Sequence, residues 1–252
     1  MRGFIFRKII KKIADTSEVT KDYIAVEKKL KISHNGNEVM SLYCTPNLIK
    51  ELVIGFLLTE GFIDGNICAD SLVVSYGEEI EADITSDVII SQRHFIKTSG
   101  CIGGLTTAQG KYFSKMTDDF QIRGENIKNL FELFNKKSEL FRMTGCVHSA
   151  AFCNSKTILA FAEDIGRHNA VDKVLGKCII ENISFSKKIL LVSGRISSEI
   201  VYKCIKWRVP VIASRTSATS LALELAEEGG MTLIGFVRGN RMNIYTNGQR
   251  IN

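Results

Sequence analysis

The feature that most constrains this chain is a regular alternation of short apolar runs with helix-length amphipathic stretches over its last hundred residues. TILAFAE leads into HNAVDKVLGKCII, KILLVSG into SSEIVYKCIKW, and VPVIAS into ATSLALELAEEGG, before MTLIGFV closes the run. β-Rich runs of this length separated by helices imply parallel strands joined by right-handed crossovers. The expected architecture is a three-layer α/β domain over residues 121–252, preceded by a smaller mixed α+β region over residues 1–97.

In the first region, DYIAVEKKLKISHNG reads as a strand reaching a turn at Asn35-Gly36, and NEVMSLYC returns from it as a hairpin. Thr45 and Pro46 are expected to open a helix as N-cap and first helical residue, with Gly61 just past its end. SLVVSYG and SDVII read as two further strands, and the basic MRGFIFRKIIKKIA as a surface strand or lead-in. Between the halves, KTSGCIGGLTTAQGKYFSKM lacks periodicity and carries four glycines, so residues 98–120 read as a loop. ENIKNLFELFNKKSELF resumes helical spacing.

The 252 residues are enough for a sizeable core. A net charge of +6 is too small to argue for nucleic-acid binding without a basic stripe. No apolar stretch approaches the roughly 20 residues that span a bilayer. The N-terminus lacks a continuous apolar core and a small-residue cleavage site, so a cytoplasmic protein with seven reduced cysteines is expected. Cys178 and Cys204 fall among apolar helix residues and read as core.

In open α/β sheets, ligands bind beyond the carboxyl ends of the strands. Those ends share a composition here. Asp164-Ile-Gly-Arg167-His168-Asn169 follows the first strand, and Gly194, Arg195, Ser197 and Ser198 follow the second. Arg215, Thr216 and Ser217 follow the third, and Arg238, Gly239, Asn240 and Arg241 the fourth. Each strand therefore delivers an arginine to one edge, three of them beside a helix N-terminus. Guanidinium forks and unpaired helix N–H groups both suit phosphate, so the expected ligand is a nucleotide or pyrophosphate. The alternative is that the arginines are solvated or pair with Asp164, Glu199 and Glu224. Two further features stand out. Cys101 sits among glycines in Thr98-Ser-Gly-Cys101-Ile-Gly-Gly104, where a thiolate could approach a partner. Cys146 and His148 form a polar pair within small residues, which suggests that Cys146 is buried.

Together, TGCVHSAA, EDIGRHNAVDKVLG, SGRISSEIV, TSLALELAEE and LIGFVRGNRMNIYT resemble, in this order, the formate dehydrogenase accessory sulfurtransferase family FdhD. The resemblance implies a cytidine-deaminase-like C-terminal domain and a homodimer. It also implies transfer of persulfide sulfur from a cysteine desulfurase to the bis-molybdopterin guanine dinucleotide cofactor, carried as cargo, before that cofactor enters formate dehydrogenase. GDP would mimic part of that cargo. Cys101 matches the persulfide-forming cysteine, and Phe236, Val237, Arg238, Gly239, Asn240 and Arg241 match the cofactor-binding segment. Arg167, His168, Arg195, Ser197 and His148 join it as candidate binding residues. Many members carry a second cysteine in the loop where this chain has Gly104. One sulfur suffices for a persulfide, but a relay through a second loop cysteine is excluded.

Two other classes can be weighed. A chaperone that holds the cofactor without moving sulfur would need the arginine edge and not Cys101. A zinc deaminase would need Pro-Cys-x-x-Cys and a glutamate after the histidine. The two prolines are followed by Asn47 and Val211, and Ser149 follows His148, so that site is absent. No metal and no permanently bound cofactor are expected.

Overall fold

The computed structural model describes residues 2–63, 68–87 and 114–252 in full, and the backbone alone of 95–97 and 105–107. The chain opens with a two-stranded ribbon, β1 (Phe4–Ile13) against β2 (Thr16–Ala25), antiparallel and in register throughout. The stretch expected as one strand into the Asn35-Gly36 turn is therefore divided. Its first residues close the ribbon, and β3 (Lys28–His34) starts a different sheet. β3 and β4 (Asn37–Cys44) form the expected hairpin, with Asn35 and Gly36 at φ 50° and 78°. Positive φ at both turn residues is what a tight two-residue turn with the strands' own twist requires.

Helix α1 (Ile49–Thr59) begins later than Thr45-Pro46 suggested. Thr45 is drawn away by tertiary bonds: its N–H donates to Asp164 Oδ2 at 3.0 Å, and its hydroxyl accepts from the Ile165 N–H at 3.1 Å. A threonine so committed cannot cap a local helix. β5 (Leu72–Tyr76) and β6 (Ile80–Ile84) complete a sheet of order β4-β3-β6-β5. β6 was hidden in the sequence by two acids, Glu81 and Asp83, which alternate with buried Ile80, Ala82 and Ile84. Of SDVII, Ser86 and Asp87 are not in a strand, and residues 88–90 lie outside the described ones.

β7 (Phe95–Lys97) and β8 (Leu105–Thr107) pair antiparallel, so the segment expected as loop contains a strand. Cys101 and Gly104 lie outside the described residues. Further on, Met116 is buried and donates its N–H to Gly229 O at 2.9 Å, while Asp118 pairs with Arg250 at 2.9 Å. The helical stretch that follows is split at Ser138 into α2 (Gly124–Lys137) and α3 (Glu139–Thr144).

The C-terminal sheet is built from β9 (His148–Cys153), β10 (Ile158–Asp164), β11 (Ile189–Val192), β12 (Val211–Ser214), β13 (Thr232–Arg238) and β14 (Arg241–Ile244), in the order β10-β9-β11-β12-β13-β14. β11, β12 and β13 are parallel neighbours, as expected. β9 lies antiparallel between β10 and β11, so the four strands read from the sequence are not all adjacent. β10 still runs in the same direction as β11, because two antiparallel steps restore it. Helices α4 (Arg167–Ile180), α5 (Ser198–Lys206) and α6 (Ser220–Glu228) pack on one face through Val171, Val174, Ile200, Cys204, Ala222 and Ala226. α2 covers the other through Ile127, Leu130, Phe131 and Phe134, which gives three layers.

The two halves are joined by close helix packing. A Cβ on Gly55 of α1 would lie 1.9 Å from Asp172 O, and one on Gly176 of α4 would lie 1.9 Å from Glu51 O. Side chains in place of these glycines would force the helices apart. Beside this contact, Lys203 is buried and pairs with both Glu60 and Asp172 at 2.6 Å, tying α5 to α1 and α4.

Candidate functional site

β10, β11, β12 and β13 all end at one edge of the six-stranded sheet, and β9 and β14 begin there. That topology gathers the residues the sequence singled out. His148 opens β9 directly opposite Asp164, the last residue of β10. Arg195 follows β11, Arg215 follows β12, and Arg238 at the end of β13 stands opposite Arg241 at the start of β14. Helices α4, α5 and α6 start at the same edge, with Gly166, Ser197 and Thr219 as N-caps. All three caps have extended backbone, and none bonds a helix N–H through its side chain. Glycine has no side chain to offer, and the Ser197 hydroxyl is bonded to Glu199 Oε2 instead. Uncapped first-turn N–H groups and the helix dipoles make the edge electropositive beyond its guanidinium charges.

The turn that presents Arg167 is fixed from below by a buried carboxylate. Asp164 Oδ1 accepts from the Gly166 N–H at 2.8 Å and Asn169 Nδ2 at 2.9 Å, and Oδ2 pairs with Lys173 at 2.6 Å. Lys173 in turn donates to Thr45 O at 2.9 Å and Asn47 Oδ1 at 2.7 Å. Asp164 is therefore an anchor of the turn, with no free oxygen to pair with an edge arginine.

His148 and Arg167 both border the Gly194 turn. A Cβ on Gly194 would stand 3.2 Å from His148 Nδ1 and 3.5 Å from Arg167 Cδ. Burial, and after it the charge of Arg167, holds the His148 imidazole below its ordinary pKa, with His168 and Arg195 adding to the effect. His148 is thus a neutral ring among cations at pH 7. His168 points inward and is 3% exposed. Its Nε2 lies 3.0 Å from Glu199 Oε2 and 3.3 Å from Ser197 Oγ, and the Ser197 hydroxyl donates to the same Glu199 oxygen at 2.6 Å.

On the far side of the edge, a bulge interrupts β13 between Gly235 and Arg238. Phe236 sits at φ 51°, its N–H bonded to Thr216 O at 3.0 Å, and the Arg241 guanidinium lies 5.4 Å over its ring. Bulges re-aim side chains, and here the result is a cation stacked on an aromatic face. Gly239 and Asn240 form the exposed turn, whereas Val237 is buried in the core beneath the sheet and can offer a ligand only its backbone. Arg238 Nε donates to Arg215 O at 3.0 Å, and Arg215 Nη1 to Asn135 Oδ1 at 3.2 Å. These arginines are held in place by neutral acceptors, and no carboxylate among the described residues forms an ion pair with them.

A family model described as the FdhD/NarQ family matches residues 25–252. The chain belongs to the FdhD/NarQ family. Among its relatives, the sulfur carrier protein FdhD of Wolinella succinogenes is 36% identical over 256 residues, covering 98% of this chain and 90% of that protein. The sulfur carrier protein FdhD of Bacillus subtilis is 35% identical over 250 residues, 94% of each chain. A crystal structure of a protein assigned as a formate dehydrogenase accessory protein from Desulfotalea psychrophila matches with a TM-score of 0.79 and 26% identity over the whole of both chains.

In this FdhD/NarQ chain the cysteines divide by depth. Cys44, Cys153, Cys178 and Cys204 are buried, and burial pushes the first three thiols up to about 12 and Cys204 further. Cys146 is exposed, contrary to the burial its small neighbours suggested. Gly145, at φ 64°, ends α3 and turns the chain so that Val147, not Cys146, enters the core. Sequence reasoning missed Glu199 as a site residue. A glutamate in a helix's first turn looks like an ordinary favourable dipole partner, and nothing local marks it as buried.

Proposed function

We propose that this protein is a sulfur carrier in formate dehydrogenase maturation. In this reading Cys101 takes sulfur from a cysteine desulfurase, and the arginine edge holds the bis-molybdopterin guanine dinucleotide cofactor that receives it. The names of the relatives support the carrier role, and the single observation supporting the cargo is the edge itself. Four strand ends supply Arg167, Arg195, Arg215 and Arg238, and the start of β14 supplies Arg241, beside three helix N-termini without side-chain caps. Arg241 stacked on Phe236 offers a flat cationic surface suited to a purine. His148, Gly239, Asn240, the Val237 backbone and the α5 N-terminus at Ser197 complete the proposed lining, with His168 buried behind it.

The transfer itself is an exchange without net oxidation. The Cys101 thiolate attacks the outer sulfur of the desulfurase persulfide, the donor's S–S bond breaks, a new S–S bond forms on Cys101, and the donor thiolate leaves. Only one cysteine is needed, which accommodates Gly104. A homodimer, a cytoplasmic location and a cytidine-deaminase-like C-terminal domain belong to the same proposal. A chaperone that binds the cofactor without carrying sulfur is the competing reading, since anion binding by the edge arginines needs no sulfur chemistry.

Incubation with a cysteine desulfurase and cysteine, followed by peptide mass spectrometry, should place one added sulfur on Cys101. Replacement of Cys101 by alanine should abolish that gain and the maturation of formate dehydrogenase. Persistence of maturation would favour the chaperone. For the cargo, Arg195→Ala should weaken GDP binding about tenfold, the scale of one charge-assisted hydrogen bond. Unchanged affinity by calorimetry would remove Arg195 from the site.

A further inference from the structure

We infer that Glu199 is a positioning residue of the arginine edge: its buried carboxylate clamps the first turns of α4 and α5 together and keeps the Ser197 hydroxyl off the α5 N–H groups. The inference rests on the proposed anion-binding role of the edge and adds how the edge is kept ready.

Glu199 is 4% exposed and His168 3%, so neither side chain is placed to meet a ligand from solvent. Yet Glu199 Oε2 is the shared acceptor of two groups from two elements: Ser197 Oγ at 2.6 Å and His168 Nε2 at 3.0 Å. His168 is the neighbour of Arg167 on α4, and Ser197 lies two residues after Arg195 at the start of α5. The clamp therefore sets the spacing between two edge arginines. Serine at an N-cap ordinarily turns its hydroxyl back onto its own helix and satisfies a first-turn N–H. Ser197 has the extended backbone of such a cap but makes no such bond, because Glu199 holds its proton. The adjacent helix entry is fixed independently: the Ile196 N–H donates to Ser217 O and the Thr219 N–H to Ile196 O, both at 3.0 Å. Loss of Glu199 would thus leave the α5 and α6 entries side by side while freeing Ser197 to cap α5 and compete with an anion.

Calorimetric titration of the full-length protein with pyrophosphate and with GDP tests this. The wild type should bind both. Glu199→Ala should weaken both about tenfold, the scale of a competing N-cap. Glu199→Gln, whose amide oxygen can still accept from Ser197 and His168, should bind within about twofold of wild type. Adding Ser197→Ala to Glu199→Ala should restore a large part of the loss, because no hydroxyl remains to compete. A merely structural role predicts the opposite: the double variant no better than Glu199→Ala. Circular dichroism at the assay temperature checks that each variant is folded, and Glu199→Gln carries the comparison if Glu199→Ala is not. A wild type that binds neither ligand would overturn the anion-binding reading and this inference with it. A wild type that binds, with Glu199→Ala unchanged, Glu199→Gln as weak as Glu199→Ala, or no recovery in the double variant, would overturn the inference alone.

Discussion

Asp164→Asn should destabilise the protein far more than its near-identical shape suggests. Each oxygen of the native carboxylate accepts two donors. Oδ1 takes the Gly166 N–H at 2.8 Å and Asn169 Nδ2 at 2.9 Å, and Oδ2 takes the Thr45 N–H at 3.0 Å and the Lys173 ammonium at 2.6 Å. An asparagine has one acceptor oxygen and one NH2 group. Turned either way, it sets an NH2 against two N–H donors, and the wholly buried Lys173 loses its counter-charge. Breaking a buried pair from one side costs about 3–5 kcal/mol. With about 2–4 °C of Tm per kcal/mol for a chain of this size, Tm should fall by about 10 °C. Trp207, the single tryptophan, packs on Phe185 with ring centroids 5.0 Å apart and provides a fluorescence signal for denaturant or thermal unfolding. Adding Lys173→Met should recover part of the loss, because it removes the stranded charge. A drop of about 2 °C or less for Asp164→Asn would fall well below that range and would refute the claim that this carboxylate holds the Arg167 turn.

Two further outcomes follow from the same geometry. Burial and the neighbouring cations hold His148 below its ordinary pKa of 6.5, so in the absence of ligand it contributes stability above that value. The contribution is lost as pH falls below 6.5 toward the folded-state value, since the unfolded chain then binds the proton first. A bound dianion should oppose this, so GDP affinity should rise as pH falls through the same window, and His148→Gln should flatten both profiles; wild-type profiles that are already flat there would refute it. Gly55→Ala should cost at least about 1–3 kcal/mol, the ordinary penalty for overpacking, because its Cβ would stand 1.9 Å from the Asp172 backbone oxygen of α4. Unaltered unfolding of that variant would mean that α1 and α4 can separate freely.

The sequence by itself determined the arginine edge. Strand-length apolar runs alternating with helix-length stretches force successive strands to share a direction, so Arg167, Arg195, Arg215 and Arg238 were bound to arrive together. It also determined the Asn35-Gly36 turn, because few residues accept φ of 50° and 78° in succession. Only the tertiary structure decided that β9 enters between β10 and β11. HSAAFC is buried on both faces after its first residue and so shows no alternation that would mark a strand. Likewise, Lys173 and Lys203 look in sequence like solvent-facing helix residues. They are buried because carboxylates from distant segments, Asp164 for one and Glu60 and Asp172 for the other, meet them in the folded chain. Thr45 lost its cap to the turn that the same Asp164 holds, where its hydroxyl accepts from the Ile165 N–H, and Ser197 its cap to Glu199. In each case a short-range preference of about 1 kcal/mol was overridden by a buried charge that needed every available partner.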